Sequence, residues 1–249
     1  MKIITGCDCV FMLIDVRIYR TGFNYTLNKV IKEKRKQPVI ILSRKDLIPK
    51  TYDVKKITNF FQNLNLPHYF IDAHNDKLDD ILMPVKETKR IINKSFYGTD
   101  FKPTIIIVGS PNSGKSTYIN ALRLKASAAT ANIPGITKRV SLFSIKKLAS
   151  FVDTPGILHP EVLTKEQAYP LHLVRAIKKS IIHISESVSW ALEMLFVHSF
   201  KQYQELAWRF NFNDQVLLNR EQMEKEFPLI MIERLYSYLS GPFPFIWDY

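Results

Sequence analysis

The feature that most constrains the fold of this chain is the stretch GSPNSGKST at residues 109–117. It fits Gly-x-x-x-x-Gly-Lys-Ser/Thr, in which backbone N–H groups surround nucleotide phosphates, the lysine reaches the β- and γ-phosphates and the hydroxyl faces Mg²⁺. Such a loop joins a strand to a helix N-terminus, and PTIIIVG before it and KSTYINALRL after it predict those two elements. A nucleotide-binding domain usually opens with this loop, so the long stretch in front of it needs an explanation.

The residues before the loop alternate between strand-like and helix-like segments. CVFMLIDVR, PVIILSRKD and HYFIDA predict buried strands, and FNYTLNKVIKEKRK and VKKITNFFQNLN predict the helices between them. LDDILMPVKETKRIINKSF predicts a connecting helix that either tolerates Pro84 or breaks there. Because strands that alternate with helices form a mostly parallel sheet flanked by helices, we expect an α/β domain.

Two strand ends resemble parts of a guanine site, and in a parallel sheet the carboxyl ends of the strands carry the functional groups. SRKD at 43–46 resembles the base-reading motif Asn-Lys-x-Asp, with Asp46 as the carboxylate for guanine N1–H and N2–H₂ and Arg44 as a flat group over the base. Asp72 and Ala73, in the segment IDA, resemble the loop behind guanine O6. The alternatives stay open, because a solvated charge run after a strand looks like SRKD and IDA alone carries little information.

Two further motifs follow the phosphate loop. IPGITKRV at 133–140 offers Thr137 as a switch-I threonine, with the alternative that it only caps a turn. LASFVDTPGIL at 148–158 supplies Asp153 on the Mg²⁺ side and the Gly156 N–H for the γ-phosphate. All five sequence elements of a GTPase are therefore present, but the base-reading loops precede the phosphate loop. That order is a circular permutation.

This loop order, together with DVR at 15–17, PGIT and DTPGILHP, resembles the YlqF/RbgA family of circularly permuted GTPases, whose organelle branch is the mitochondrial ribosome-assembly GTPase 1. The resemblance runs from about residue 9 to residue 200. It implies an α/β, circularly permuted phosphate-loop GTPase domain, which we place at 1–160, and a small C-terminal helical domain at 161–249. It also implies a GTPase that assists assembly of the large ribosomal subunit.

The resemblance assigns roles to residues of the phosphate loop and of the motifs around it. Lys115, Thr137 and Gly156 are the expected catalytic groups, and Ser116, Thr137 and Asp153 are the expected Mg²⁺ ligands. Asn112 is expected to bind K⁺ beside the phosphates, or else to shape the loop. The expected contacts of GTP or GDP are Ser43, Arg44, Asp46, Asp72, Ala73, Asn112, Ser113, Gly114, Lys115, Ser116, Thr117 and Gly156.

The sequence also departs from the family pattern. Ser43 stands where the base motif has an asparagine, and it offers fewer hydrogen-bonding groups. The family's Pro-Gly-His-Met segment is not found, and Ile157 occupies the position where many GTPases carry a water-orienting glutamine. We therefore expect slow intrinsic hydrolysis that the ribosomal subunit stimulates. A GTP-binding scaffold on ribosomal RNA without hydrolysis remains an alternative, as does an ATPase or kinase-like protein, although nothing resembles an adenine pocket.

The charge balance points to a polyanionic partner. The chain has 35 Lys and Arg against 23 Asp and Glu, a net charge of +12, which favours nucleic acid or an anionic membrane surface. Within residues 101–160, Asp153 is the only acidic residue, whereas eight are basic: Lys102, Lys115, Arg123, Lys125, Lys138, Arg139, Lys146 and Lys147. We expect this segment to face large-subunit rRNA once GTP orders the switch segments PGIT and DTPG. An anionic membrane surface is the other expected partner, through peripheral association.

The remaining features concern location and the C-terminal domain. Cys7 and Cys9 cannot form a four-ligand zinc site alone and are expected to be buried thiols in a reducing compartment. No apolar run reaches the ~18 residues of a membrane span, and neither a signal peptide nor an Arg-rich transit peptide is visible. We expect a monomer in the mitochondrial matrix, either free or associated with the inner membrane. A bacterial-type cytoplasmic location is the alternative.

Residues 166–210 carry apolar side chains at helical spacing, which predicts packed helices. The apolar positions include Leu171, Val174, Ile177, Ile181, Ile182 and Leu192. The basic residues Arg175, Lys178 and Lys179 lie within about one turn and either contact RNA or form a solvated helix face.

Overall fold

The computed structural model describes residues 2–95, 101–125, 129–130, 141–155, 164–212, 227 and 229–247. The chain divides into two compact units, Met1–His159 and Pro160–Tyr249. Within the described ranges, no helix is both long enough and apolar enough to cross a lipid bilayer.

The first unit alternates strands and helices, as the sequence predicts. Its strands are β1 (Cys9–Asp15), β2 (Pro38–Ser43), β3 (His68–Ile71), β4 (Thr104–Gly109), β5 (Ala129–Thr130), β6 (Ser141–Ile145) and β7 (Ala149–Asp153). Its α-helices are α1 (Lys2–Thr5), α2 (Tyr25–Glu33), α3 (Lys55–Asn63), α4 (Leu78–Ser95) and α5 (Lys115–Lys125). Helix α4 continues through Pro84, which decides between the two alternatives for that segment.

The strands form one sheet in the order β3-β2-β1-β4-β7-β6-β5. The first five strands in this order are parallel, and β6 and β5 are antiparallel to their neighbours. The predicted α/β class with a mostly parallel sheet is confirmed. The antiparallel pairing of β6 with β7 was not predicted, because alternating SLFSI gives only a short strand signal.

The register of the parallel strands brings their carboxyl ends to one edge of the sheet. Asp15 at the end of β1 lies opposite Ser43 at the end of β2, and Ser43 lies opposite Ile71 at the end of β3. On the other side, Gly109 at the end of β4 pairs with β1, and Asp153 at the end of β7 pairs with β4. The loops that follow these strands therefore start from the same edge.

The strands in the middle of the sheet are apolar throughout because helices cover both of their faces. Every residue of β1 and of β2 is buried, and so are the four residues Ile105–Val108 of β4. Phe143 of β6 stacks on Phe151 of β7 with ring centroids 4.8 Å apart, which extends the core under the antiparallel strands. Cys7 and Cys9 are free, buried thiols, and burial raises the pKa of Cys9 to about 12.

The second unit is helical where it is described. Its helices are α6 (Lys165–Leu173), α7 (Ile184–His198), α8 (Phe200–Phe210) and α9 (Leu229–Leu239). A capping box starts α6: the Thr164 hydroxyl accepts from the Gln167 N–H, and the Gln167 side chain accepts from the Thr164 N–H. The predicted C-terminal helical region is thus confirmed.

The predicted helical stripe is wrong between Val174 and His183, because α6 ends earlier than the apolar spacing indicates. Arg175 adopts a left-handed backbone (φ +59°), and the Ala176 N–H donates to the Leu171 carbonyl at 2.7 Å, as in a Schellman turn. Ile181 consequently lies outside any helix and is 60% exposed. This stop was not recognised because glycine, and not arginine, usually occupies such a position.

The basic residues of this turn do not form the solvated helix face that was one alternative. Arg175 donates from Nε and Nη2 to the Ser240 hydroxyl at 3.2 and 3.0 Å. The Lys179 ammonium lies 5.2 Å from the ring centroid of Tyr236. These two side chains hold the α6–α7 turn against α9.

Candidate nucleotide-binding site

The phosphate loop runs from Gly109 at the end of β4 to Lys115 at the start of α5, and two glycines shape it. Gly114 has φ +82°, and a Cβ there would lie 3.0 Å from the Ser43 Cβ. A Cβ on Gly109 would lie 2.8 Å from the Leu13 carbonyl oxygen and would collide with the Ser113 hydroxyl. Larger residues at either position would push the loop away from β1 and β2, so close approach explains both glycines.

Helix α5 directs its N-terminus at the loop. It begins at Lys115, and the Tyr118 N–H makes the first helical bond, to the Gly114 carbonyl at 2.9 Å. The earlier N–H groups have no partner in the helix, and together with the helix dipole they favour an anion. The buried Tyr118 hydroxyl donates to the Ile81 carbonyl of α4 at 3.2 Å, which fixes the direction of α5.

The loop residues fit a phosphate-bearing ligand. The Ser113 hydroxyl is buried and has no hydrogen-bond partner among the described residues, a state that costs about 1–3 kcal/mol unless something satisfies it. Ser116 is exposed and Thr117 is half-buried, both on the first turn of α5. Asn112 is exposed with a left-handed backbone (φ +59°), so it also shapes the loop.

The expected phosphate-reaching lysine and the expected Mg²⁺ carboxylate lie in contact. Lys115 Nζ is 2.6 Å from Asp153 Oδ1, and the two side chains are 12% and 27% exposed. Thr154, the next residue, donates from its hydroxyl to the Ile107 carbonyl at 2.9 Å and so anchors the end of β7 to β4. A bound phosphate would therefore compete with Asp153 for the charge of Lys115.

Ser43 ties the base motif to the phosphate loop. Its buried hydroxyl donates to the Ser113 carbonyl at 2.7 Å, and the Ile14 carbonyl lies 3.3 Å away. A serine in place of the usual asparagine therefore still links the two loops, across 70 residues of sequence.

The rest of SRKD has two held cations and one exposed carboxylate. Arg44 has a left-handed backbone (φ +59°), and its Nε lies 3.2 Å from Asp15 Oδ2. Lys45 forms an ion pair with Asp76. Asp46 is exposed and makes no hydrogen bond or ion pair within the part of the chain that the structure describes. Its carboxylate is thus open to a ligand.

The loop after β3 is formed without a ligand. Asp72 Oδ1 accepts from the N–H groups of His74 and Asn75, and Oδ2 accepts from the Asn75 side chain at 2.6 Å. Burial acts to raise the pKa of Asp72, but these hydrogen bonds outweigh it and hold that pKa below its usual value. Asp76 accepts from the Asp72 N–H at 2.8 Å, so its ion pair with Lys45 connects this loop to the base motif. Asp72 thereby shapes the loop that carries Ala73.

Sequence reasoning missed the residues that hold the base motif: Asp15, Arg17 and Asp76. Arg17 and Asp15 form a buried ion pair, in which Arg17 Nη2 lies 2.9 Å from Asp15 Oδ2. The available signal was a pair of opposite charges directly after a fully apolar strand, where an unpaired charge would be costly. The expected site residues Thr137 and Gly156 lie outside the described residues.

The base motif, the phosphate loop and Asp153 of DTPG lie at one edge of a mostly parallel sheet, and the base motif comes first in the chain. This arrangement defines a circularly permuted phosphate-loop GTPase. Residues 104–222 match the family described as "50S ribosome-binding GTPase". Ribosome biogenesis GTPase A of Bacillus licheniformis is 31% identical over 192 residues, which cover 76% of this chain and 67% of that protein. That of Priestia megaterium is 28% identical over 214 residues, covering 83% and 72%. The chain therefore belongs to the YlqF/RbgA family of circularly permuted GTPases.

Relatives from organelles are about as similar as the bacterial ones. Mitochondrial GTPase 1 of Schizosaccharomyces pombe is 28% identical over 218 residues, covering 77% of this chain and 66% of that protein. The fold is also that of GNP-bound YlqF from T. maritima, at 18% identity and a TM-score of 0.58 over 97% of this chain and 93% of that one. The predicted family is confirmed, and its bacterial and mitochondrial branches are not distinguished.

Proposed function

We propose that this GTPase acts in assembly of the large ribosomal subunit, where a GTP-ordered surface docks on rRNA and hydrolysis releases it. The observation that carries the nucleotide part is the bond from the Ser43 hydroxyl to the Ser113 carbonyl, because it joins the base motif to the phosphate loop as one site. The ribosomal part is supported by the description of the family, "50S ribosome-binding GTPase", and by the names of the relatives.

At this edge of the sheet, different residues bind different parts of the nucleotide. Asp46 accepts from the guanine edge, Arg44 lies against its face, and the loop after β3 backs its oxygen. The phosphates lie in the turn before α5, where Lys115 and the free N–H groups offset their charge. Ser116, Asp153 and Thr137 would hold Mg²⁺, which would supply charge neutralisation at the phosphates, and Asn112 would hold K⁺.

Hydrolysis in this site depends on what Lys115 contacts. The Lys115 ammonium pairs with Asp153 in this structure, and a bound nucleotide would turn it to the phosphates, so GTP would change the partner of the residue at the end of β7. The segments PGIT and DTPG that follow the loop then become ordered around the γ-phosphate. Because Ile157 cannot orient water, the free protein hydrolyses GTP slowly and the docked subunit completes the site.

The partner is supported by charge placement. Among the eight basic residues of 101–160, Lys146 and Lys147 lie exposed in the turn between β6 and β7, which is at the opposite end of β7 from Asp153 and from the nucleotide site. Lys138 and Arg139, which directly follow Thr137 in the sequence, are the cations that we assign to phosphates of rRNA, so binding weakens as salt rises. The protein works as a monomer, and the same cations support peripheral contact with anionic membranes.

The mitochondrial matrix is the proposed location, as the resemblance to the organelle branch implies. Mitochondrial relatives from Schizosaccharomyces pombe and Aedes aegypti, both 28% identical, support it. Fractionation of the cells that encode this chain, with an antibody to the protein, tests the location. If the protein is recovered in the cytoplasm with bacterial-type ribosomes, the cytoplasmic location replaces the mitochondrial one.

Single-turnover hydrolysis of GTP, with and without purified large subunits, tests the function. We expect binding of GTP but not ATP, a slow rate for the free protein, and a rate that rises when subunits are added. Tight GTP binding and subunit association at an unchanged, negligible rate would instead support the scaffold alternative. Equal affinity for ATP and GTP would remove the guanine assignment.

A further inference from the structure

One carboxylate lies buried between two guanidinium groups at the carboxyl end of β1. Asp15 is 1% exposed, and its Oδ1 accepts from the backbone N–H of Arg17 at 3.0 Å and from Arg17 Nε at 3.1 Å. Its Oδ2 accepts from Arg17 Nη2 at 2.9 Å and lies 3.2 Å from Arg44 Nε. Arg17 is as buried as Asp15, whereas the Arg44 side chain is 37% exposed.

The contacts with Arg17 are sufficient to pair the buried carboxylate of Asp15. Arg17 supplies two side-chain donors and one backbone donor and neutralises the buried charge. The contact with Arg44 is therefore not needed for the burial of Asp15. It leaves the cluster with one more cation than anions, and the additional positive charge lies on the exposed guanidinium.

The backbone of Arg44 is held on both sides. Ser43 before it is bonded to the phosphate loop, and Lys45 after it is paired with Asp76. Arg44 itself has φ +59°, a conformation that costs a residue with a Cβ about 1 kcal/mol. With the backbone fixed in this way, the ion pair between Arg44 Nε and Asp15 sets the direction of the long side chain.

We propose that Asp15 is a positioning residue for purine binding, which holds the Arg44 guanidinium so that its flat face lies against the base that Asp46 reads. The inference rests on the guanine site proposed above and names a residue outside the nucleotide contacts. A guanidinium held in advance loses little rotamer freedom when the base stacks on it, so the pair raises affinity for the base.

Calorimetric titration with GDP and with IDP separates the face of the base from its edge. IDP lacks the 2-amino group that Asp46 accepts from, but its face is the same. Arg44→Ala should therefore weaken both nucleotides to the same extent, by about tenfold. Unchanged affinity for both nucleotides would overturn the proposal.

A double-mutant cycle then tests whether Asp15 acts through Arg44. Asp15→Asn should weaken GDP binding several-fold in the otherwise unchanged protein and should have no further effect when Arg44 is already alanine. Equal losses in the two backgrounds would mean that Asp15 only supports the fold, and would overturn the proposal. Thermal unfolding of each variant without nucleotide reports the structural part separately.

Asp15→Asn removes the charged partner of the buried Arg17 and can prevent folding. Arg44→Met then tests the proposal instead. Methionine retains an apolar stem but cannot pair with Asp15, so it should bind GDP as weakly as Arg44→Ala. Full GDP affinity in Arg44→Met would overturn the proposal, because it would show that an apolar side chain without a contact to Asp15 binds the base equally well.

Arg35→Ala is the matched control, since Arg35 is an exposed arginine with φ +55° near the opposite end of β2, and it should bind GDP like the wild type. Wild-type protein that binds ADP as tightly as GDP would refute the guanine site itself, whereas selective GDP binding without coupling refutes only the role of Asp15.

Discussion

Lys115 Nζ lies 2.6 Å from Asp153 Oδ1, so the lysine of the phosphate loop is paired with the carboxylate at the end of β7. Both side chains are mostly buried, and the contact spans 38 residues of sequence. In the proposed site, nucleotide binding would exchange this ion pair for contacts of Lys115 with phosphate and of Asp153 with Mg²⁺. The pair thus couples the phosphate loop to the segment DTPG, which begins at Asp153.

Asp153→Asn should separate these two contacts. Without Mg²⁺, the variant should bind GDP at least as tightly as the wild type, because Lys115 no longer has a competing carboxylate. With Mg²⁺, GTP affinity should fall more than about tenfold, since a charged ligand of the cation is lost. Titration of fluorescent nucleotide in EDTA and in Mg²⁺ measures both. An equal loss in the two buffers would show that Asp153 has no role in binding the cation.

Asp46→Asn should change the preferred base. The Asp46 carboxylate is exposed and has no partner among the described residues, so the substitution should leave the fold intact. Affinity for GDP should fall by about 10- to 100-fold, which corresponds to the free energy of hydrogen bonds to a charged group. Affinity for xanthosine diphosphate should rise. Competition titrations with the two nucleotides test this. If GDP binds the variant normally, another residue reads the base.

Asn112→Ala should remove the response to K⁺. Asn112 lies exposed in the loop with φ +59°, so its side chain is on the surface of the expected phosphate site. Wild-type hydrolysis should be faster in K⁺ than in Na⁺, and the variant should hydrolyse GTP at the Na⁺ rate in both salts. Asn112→Gly, which accepts the same backbone, controls for loop shape. A wild type with identical rates in the two salts would leave Asn112 a loop-shaping residue.

Lys138→Glu with Arg139→Glu should weaken binding to large subunits. Both residues directly follow Thr137, outside the described residues, so this prediction rests on the sequence. Each lost phosphate contact should reduce the slope of log affinity against log salt by about one unit, because one fewer counterion is released. Co-sedimentation across a salt series, in GTP and in GDP, measures the slope. Nucleotide affinity should not change, and wild-type sedimentation in both states would contradict the prediction.

The second unit should lose stability as the pH falls below about 6.5, the pKa of histidine in an unfolded chain. His172 is fully buried: Nδ1 is 2.7 Å from the Ser187 hydroxyl, and Nε2 has no partner among the described residues. Burial lowers the pKa of His172; a backbone hydrogen bond at Lys179 opposes this shift, and the charge of Lys179 adds to it, so the pKa lies below its usual value. Between the two pKa values the unfolded chain binds a proton that the folded chain does not, so stability falls with falling pH.

Urea unfolding followed by tryptophan fluorescence measures this, because Trp190, Trp208 and Trp247 all belong to the second unit. His172→Gln should flatten the dependence on pH between 7.5 and 5.5, whereas His183→Gln, at an exposed position, should keep it. An unchanged pH dependence in His172→Gln would assign the effect to other groups.

Much of the site followed from local sequence. Apolar runs of four to seven residues predicted β1 to β4, since strands buried on both faces are apolar throughout, and amphipathic spacing predicted α2 to α5. The same pattern placed Ser43 and Asp153 at the ends of β2 and β7, and it placed Asp46, Asp72 and Lys115 in the segments that follow β2, β3 and β4. Their arrival at one edge follows from the parallel connections alone.

The contacts that hold the site were decided only by tertiary structure. The hydrogen bond from Ser43 to Ser113 and the ion pairs of Arg44 with Asp15 and of Lys45 with Asp76 join residues on different segments, and their formation depends on strand order and register. The turn that follows the early end of α6 at Leu173 likewise has a distant contact: Arg175, whose φ is unfavourable, donates to Ser240, 65 positions away. The sequence by itself determined which groups lie at the end of each strand, because that is a matter of local periodicity. Which of these groups pair with each other was determined by packing, because such pairs are far apart in the chain and leave no periodic signal.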